Sequence, residues 1–259
     1  MNLSPLQFRE VFHLEFLREL VKKIPPSAFV LKGGSNLRFF FGSIRYSEDM
    51  DLDVEKISVN TLQERTLAIL KSKLLLSRLR TFGIDEIIPA DMKYAKQTQT
   101  VQRFKTHLIT SAGEDLFTKI EFSRRGFDAP SAPDPIDSSV LSRYLLPPII
   151  VPHYSVESAV NQKITALLSR RKTEARDIFD LYILHSQIRA EGRLFLSRLS
   201  EKKLKEIRDK IYAIDYEQYR NTVVLFLSSE DQAHYNSQNM WDEMRLVVLS
   251  FIDRELKHG

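Results

Sequence analysis

The stretch that decides how this chain is read is Leu31-Lys32-Gly33-Gly34-Ser35-Asn36-Leu37, followed after Ser35 by thirteen residues and then Asp49-Met50-Asp51-Leu52-Asp53-Val54. The second piece alternates acid with hydrophobe at a period of two, which marks a strand with one buried face. Residues i and i+2 of a strand share a face at about 6.6 Å, from a rise of about 3.3 Å per residue. Asp49 and Asp51 can therefore converge on one or two divalent cations while Met50, Leu52 and Val54 are buried behind them. An oxygen-only donor set suits Mg²⁺ or Mn²⁺ held together with substrate phosphates. The first piece follows the apolar run Phe29-Val30-Leu31 and reads as a strand, a glycine turn and a helix start. Unhindered backbone N–H groups and a hydroxyl at such a junction form a phosphate cradle. Taken singly, the glycines also read as a tight turn and the acids as a solvated edge strand. In this order and spacing the two pieces describe a metal-dependent phosphoryl-transfer site. A calcium loop does not fit, because its glycine and bidentate Glu are missing.

Working outward, Leu6, Val11, Leu14, Leu17, Val21 and Ile24 recur near helical spacing over residues 5–23, and Pro25-Pro26 ends that helix. A leucine-rich helix is expected over 60–82, stopped at Gly83, with strands at about 100–109 and 116–123. Residues 126–152 hold Gly126 and prolines 130, 133, 135, 147, 148 and 152, and are expected to form an irregular crossing segment. Helices are expected beyond it at about 155–171, 174–191, 196–211, 216–228 and 239–257, with Gly192 the one internal glycine. The expected fold is α/β: an N-terminal domain with a mixed sheet over 1–145, then a C-terminal helical bundle over 146–259.

A chain of 259 residues with 43% hydrophobic and 28% charged residues has ample material for a buried core, which excludes wholesale disorder. There is no cysteine, so disulfides, thiolate metal sites and cysteine nucleophiles are excluded together. The start, Met1-Asn2-Leu3-Ser4-Pro5, has no basic and apolar leader, and the longest uncharged stretch, Tyr144–Val156, is too short to span a bilayer. A cytoplasmic protein with no membrane partner is expected. The net charge of +4 permits nucleic-acid binding without demanding it. The histidines at 13, 107, 153, 185, 234 and 258 have no metal-binding spacing, and no Gly-x-x-x-x-Gly-Lys or Gly-x-Ser-x-Gly is present. Arg198, Lys202, Lys203, Lys205, Arg208 and Lys210 read as a solvated basic face and as the first candidate for phosphate-backbone contacts, with Lys71, Lys73, Arg78 and Arg80 second. Tyr212, Tyr216 and Tyr219 read as packing residues that can also stack on bases.

The order Gly34, Ser35, Asp49, Asp51 resembles the nucleotidyltransferase signature of the DNA polymerase β superfamily. Using Asp51 and Asp53 instead stretches the gap to fifteen residues, so Asp53 is taken as a neighbour. The local wording, Leu31 to Leu37 and Arg45-Tyr46-Ser47-Glu48-Asp49-Met50-Asp51-Leu52, resembles the AbiEii and MenT nucleotidyltransferase toxins more narrowly. The resemblance runs through separated motifs from about residue 28 to 184. It implies a polymerase-β-like N-terminal domain, an NTP substrate, Mg²⁺ or Mn²⁺ on Asp49, Asp51 and a third acid, an RNA acceptor such as the 3′ end of tRNA, and a cognate antitoxin. The third acid is expected at Glu121, in Phe117-Thr118-Lys119-Ile120-Glu121-Phe122, where a charge on a central strand is costly unless paired or liganding.

Lys32, Gly34, Ser35 and Ser47 then belong to the nucleotide-binding set. Ser47 matches a serine phosphorylated in some members, where a phosphate would add about two negative charges. In the helical half, Lys163 alone reads as a solvated lysine, and Asp177 and Asp180 as an i, i+3 pair on one helix face. The resemblance assigns Lys163 to the nucleotide phosphates, and Asp177 or Asp180 to the support of that lysine or of the nucleotide, without choosing between them. Two other readings stand beside this one: a nucleotidyltransferase acting on a protein or small-molecule hydroxyl, and a non-catalytic nucleotide- or RNA-binding module.

Overall fold

The computed structural model describes residues 3–89, 97–127, 131–188 and 199–257. The chain divides into two compact units, Met1–Phe40 with Tyr46–Tyr154, and Phe41–Arg45 with Ser155–Gly259. The boundary thus falls after Tyr154, beyond the expected 145/146 point, because a strand that follows the prolines belongs to the sheet.

In the first unit, helix α1 (Pro5–Lys23) starts where Ser4 and Gln7 form a reciprocal capping box with Pro5 in the first turn. Then come β1 (Phe29–Lys32), α2 (Gly33–Phe40) and β2 (Asp49–Val54). The region 60–82 is two helices, α3 (Val59–Leu70) and α4 (Lys73–Arg80), rather than one. Ser72 breaks the run by capping Leu75 N, a local bond that competes with continued helix. Strands β3 (Ile84–Pro89), β4 (Val101–Thr110) and β5 (Asp115–Ser123) follow; β3 was not anticipated. The proline-rich region also departs from expectation. Within it lie β6 (Ser131–Pro135), helix α5 (Ser138–Ser142) and β7 (Ile150–Tyr154), with Pro130 outside the described residues. Pro133 stands opposite Pro152 in the antiparallel β6–β7 pair, a register position at which neither nitrogen has to donate across the ladder.

These strands form one mixed sheet in the order β3-β4-β5-β2-β1-β7-β6, with β2 parallel to β5 and antiparallel to β1. The period of two decides its faces. Met50, Leu52, Phe104, Leu116, Ile120 and Phe122 are buried with Phe12, Phe16 and Leu17 of α1 and Leu62 and Leu79 of α3 and α4. Each such large apolar side chain contributes about 1.5–3 kcal/mol. The other face carries the polar members of the same strands, Asp49 and Asp51 among them.

The second unit is helical: α6 (Val156–Ser169), α7 (Ala175–Leu184), α8 (Glu201–Tyr212), α9 (Tyr216–Thr222), α10 (Ser229–Tyr235) and α11 (Gln238–Lys257). The single helix expected over 216–228 is α9 followed by a short turn of 3₁₀ helix, after which α10 begins at Ser229. Its core includes Val160, Ile178, Phe179 and Trp241, and the Trp241 indole donates to Ile214 O at 3.1 Å. Gly192, Arg198 and His258 lie outside the described residues.

Candidate active site

Strand β1 ends at Lys32 and α2 begins at once, so Gly33 must turn the chain at φ +67°. A Cβ there would stand 2.9 Å from Asp51 Oδ2. The glycine is thus required twice, for its left-handed backbone and to let the Asp51 carboxylate approach. Gly34 and Ser35 lie in the first turn of α2, where backbone N–H groups lack intrahelical acceptors. The Ser35 and Ser47 hydroxyls both donate to the Asp49 carbonyl, at 3.2 and 2.8 Å, and fix the start of β2.

The parallel β2–β5 register sets Asp49 against Lys119 and Asp51 against Glu121. Lys119 Nζ lies 3.0 Å from Asp49 Oδ2 and 3.6 Å from Glu121 Oε2, and Arg103 Nε donates to Glu121 Oε2 at 2.6 Å. Burial pushes the Asp51 carboxyl above the ordinary carboxylate range. Lys32 and Lys119 pull it down, and Glu121 and Asp49 push it up again. Burial would lower Lys119, but hydrogen bonding to Asp49 and the charges of Asp49, Asp51 and Glu121 hold it above the usual lysine value. Asp53 behaves differently from its two neighbours. It is buried and satisfied, by Lys32 Nζ at 2.6 Å and the Tyr154 hydroxyl at 2.7 Å. Lys32, expected to bind nucleotide, has this carboxylate as its partner.

Among the described residues no group of three His, Cys, Asp or Glu side chains is drawn together tightly enough to hold a metal ion. Lys119 bridges two of the three acids. The donor chemistry nevertheless fits a hard divalent cation: oxygen only, three carboxylates on paired strands, and Asp51 raised by burial with no ion pair of its own among the described residues.

The second cluster lies within the helical unit. Lys163 Nζ lies 3.0 Å from Asp177 Oδ1 and 2.5 Å from Asp180 Oδ2. Arg45 grips Asp180 through contacts of 3.1 and 3.2 Å, and Arg170 holds Asp177 at 2.5 Å. Both aspartates are fully buried. Burial would raise Asp180, but Arg45 and Lys163 outweigh it and hold the carboxyl below its ordinary value. Burial would lower Lys163, but Asp180 and then Asp177 keep it charged. The two aspartates therefore share the lysine.

Lys119, Arg103, Arg45 and Arg170 are the site residues the sequence reading passed over. Arg45 carried a signal, as the first residue of Arg-x-Ser-x-Asp; Lys119 and Arg103 become visible only once strand register is known. Several other candidates have structural partners. Arg78 binds Glu15 and Glu19, Arg208 binds Asp253, and Lys210 donates to the Leu167 and Leu168 carbonyls. Tyr219 is buried and stacked on Trp241, with ring centroids 4.6 Å apart, while Tyr212 is exposed.

The sequence profile described as "Nucleotidyl transferase AbiEii toxin, Type IV TA system" matches residues 15–245. Among solved structures, the chain is similar to JHP933 from Helicobacter pylori, with a TM-score of 0.56 and 20% identity over 99% of this chain and 94% of that one. It is also similar to MenT4, a nucleotidyltransferase toxin from Mycobacterium tuberculosis H37Rv, with a TM-score of 0.60 and 17% identity over 99% of this chain and 89% of that one. Identities this low carry the fold alone. A search of curated proteins returned no match. Among the described residues no helix is long and apolar enough to cross a membrane.

Proposed function

The chain belongs to the AbiEii family of nucleotidyltransferase toxins of type IV toxin–antitoxin systems, and from that premise we propose a Mg²⁺-dependent transfer of a nucleoside monophosphate from an NTP to an RNA hydroxyl, with the 3′ end of tRNA as acceptor. The sheet unit carries the catalytic acids. The helical unit contributes Lys163 as a phosphate contact, kept charged and in place by Asp177 and Asp180. The protein acts in the cytoplasm, where a cognate antitoxin opposes it.

Asp49, Asp51 and Glu121 are the metal-binding set. When bound, the cation supplies positive charge at the transferring phosphoryl group and polarises its oxygens. The first-turn amides of Gly34 and Ser35 receive phosphate oxygens, with Lys32 and Ser47 bordering them. Glu121 orients the acceptor hydroxyl and takes its proton as the oxygen bonds to the α-phosphorus and the bond to pyrophosphate breaks. Catalysis on this scheme is positioning and charge neutralisation.

The observation that carries this reading is the placing of three carboxylates on one face of paired strands, with Asp51 raised by burial. A solvated edge strand does not bury an acid against a glycine turn. The test uses purified protein, Mg²⁺, total tRNA and each NTP radiolabelled at the α-phosphate, beside Asp49→Ala. The expected result is a labelled RNA band that disappears in the variant. Label on protein or a small molecule would overturn the acceptor, and full activity of Asp49→Ala would overturn the site.

A further inference from the structure

The open face of the sheet continues past the three acids. The β4–β5 register sets Arg103 opposite Glu121, Lys105 opposite Lys119, and His107 opposite Phe117, and β3 adds Ile88 opposite His107. Alternation puts all of these on the face that carries Asp49 and Asp51. Two features of this strip have no structural rationale. Lys105 is exposed directly across from another lysine, an arrangement that destabilises a sheet, and forms no ion pair among the described residues. Phe117 and Ile88 are 40% and 42% exposed on a face where the opposite side of the same strands is buried. The His107 ring is held by Asp115 at 2.8 Å and stands edge-on to Phe117, with centroids 5.6 Å apart at 72°.

We propose that this strip is the acceptor site, and that it holds the 3′-terminal segment of a single-stranded RNA beside the acids, with Lys105 on a backbone phosphate and a base stacked on Phe117 against His107. The proposal rests on the reading that the acceptor is RNA. Charge selects the occupant. A cation row next to an aromatic pair is how an open sheet receives unpaired nucleotides, and each base has a face to stack whatever its identity. Along β5, Phe117 lies about 13 Å from Glu121 at about 3.3 Å per residue, so the strip leads directly to the acids. Asp115 and Glu86 at the far end repel phosphate and limit the footprint to the terminal nucleotides.

The experiment measures binding of a fluorescein-labelled single-stranded RNA by anisotropy at several salt concentrations, for wild type, Lys105→Glu, Phe117→Ala and Phe117→Trp. Affinity for a fluorescent NTP analogue serves as the folding control. Lys105→Glu should weaken RNA binding about tenfold or more and flatten its salt dependence by about one charge or more. Phe117→Ala should weaken it about tenfold, Phe117→Trp should restore it, and NTP affinity should stay unchanged throughout. If wild type binds and labels RNA but these variants bind it equally well, the strip is not the acceptor site and the RNA reading stands. If wild type neither binds nor labels RNA, both fall together.

Discussion

Asp180 is the more deeply buried of the two central acids, yet Arg45 and Lys163 hold its carboxyl below the ordinary value; Asp51 lies nearer the open face of the sheet, and its carboxyl is pushed up. The difference is one of direct pairing: Asp180 has two ion-pair partners and Asp51 has none among the described residues. Around Asp177 and Asp180 the chain places Lys163, Arg45 and Arg170, so each anion has at least two cations within reach. Around Asp49, Asp51 and Glu121 it places Lys119, Arg103 and Lys32, but Asp51 forms no ion pair among the described residues, and burial outweighs the pull of Lys32 and Lys119 on its carboxyl. A buried charge cluster that is complete in itself holds structure and fixes Lys163. One whose central acid is buried without an ion pair among the described residues is the cluster we propose as the cation site.

Removing one partner separates the two clusters most strongly. Asp180→Asn leaves Lys163 and Arg45 buried without their shared anion and should cost about 3–5 kcal/mol, seen as a lower midpoint in urea unfolding. A change below about 1 kcal/mol would mean that the helical cluster is not self-sustaining. The support behind the sheet acids can be tested by pH. His13 is buried with its pKa lowered to about 3, by burial and by Arg9. It donates through Nε2 to Thr118 Oγ1 at 2.8 Å, and Thr118 in turn donates to Glu48 O at 2.6 Å, just before Asp49. Because the folded pKa lies below the unfolded one, this contribution is complete above the ordinary histidine value of about 6.5 and is lost as pH falls toward 3. At about 1.4 kcal/mol per pKa unit, the loss amounts to several kcal/mol. His13→Gln should flatten that slope in denaturation curves taken between these pH values.

Gly33→Ala should cost about 1–2 kcal/mol for its positive φ alone and should displace Asp51, so activity should fall further than stability does. Equal loss of both would argue that the glycine serves only the turn. The smallest effect carries the opposite sign. Because the folded state raises the Asp51 pKa, ionised Asp51 destabilises the metal-free protein at neutral pH, and stability recovers as pH falls through the raised pKa. Asp51→Asn should therefore stabilise the metal-free protein by about 0.5–1 kcal/mol while abolishing transfer. A destabilised Asp51→Asn would show that the sheet cluster is balanced like the helical one.

The sheet half of the site was legible because period-two alternation and the glycine turn are local signals. Asp49, Asp51 and their buried partners Met50 and Leu52 stand as the pattern requires. Glu121 was reached through the third acid that the family resemblance implies, with its apolar flanks in support, although Lys119 and Arg103 were not, since their roles arise from pairing between strands far apart in sequence. The break at Ser72 was missed because leucine periodicity continues across it, and β6 and β7 were missed because prolines are tolerated where a ladder asks for no donor. The joint use of Lys163 by Asp177 and Asp180 required three dimensions, because helix spacing places both aspartates on one face without choosing between them.

Direct binding of Mn²⁺ to the NTP-free protein, followed by loss of the free-ion EPR signal in wild type, Asp51→Asn and Asp180→Gln, tests the contrast most directly. Wild type should bind Mn²⁺. Asp51→Asn should weaken binding at least tenfold while its unfolding midpoint holds or rises, and folded Asp180→Gln should bind as wild type does. Equal Mn²⁺ affinity in wild type and Asp51→Asn would contradict the account, because the sheet acids would then not be the cation site.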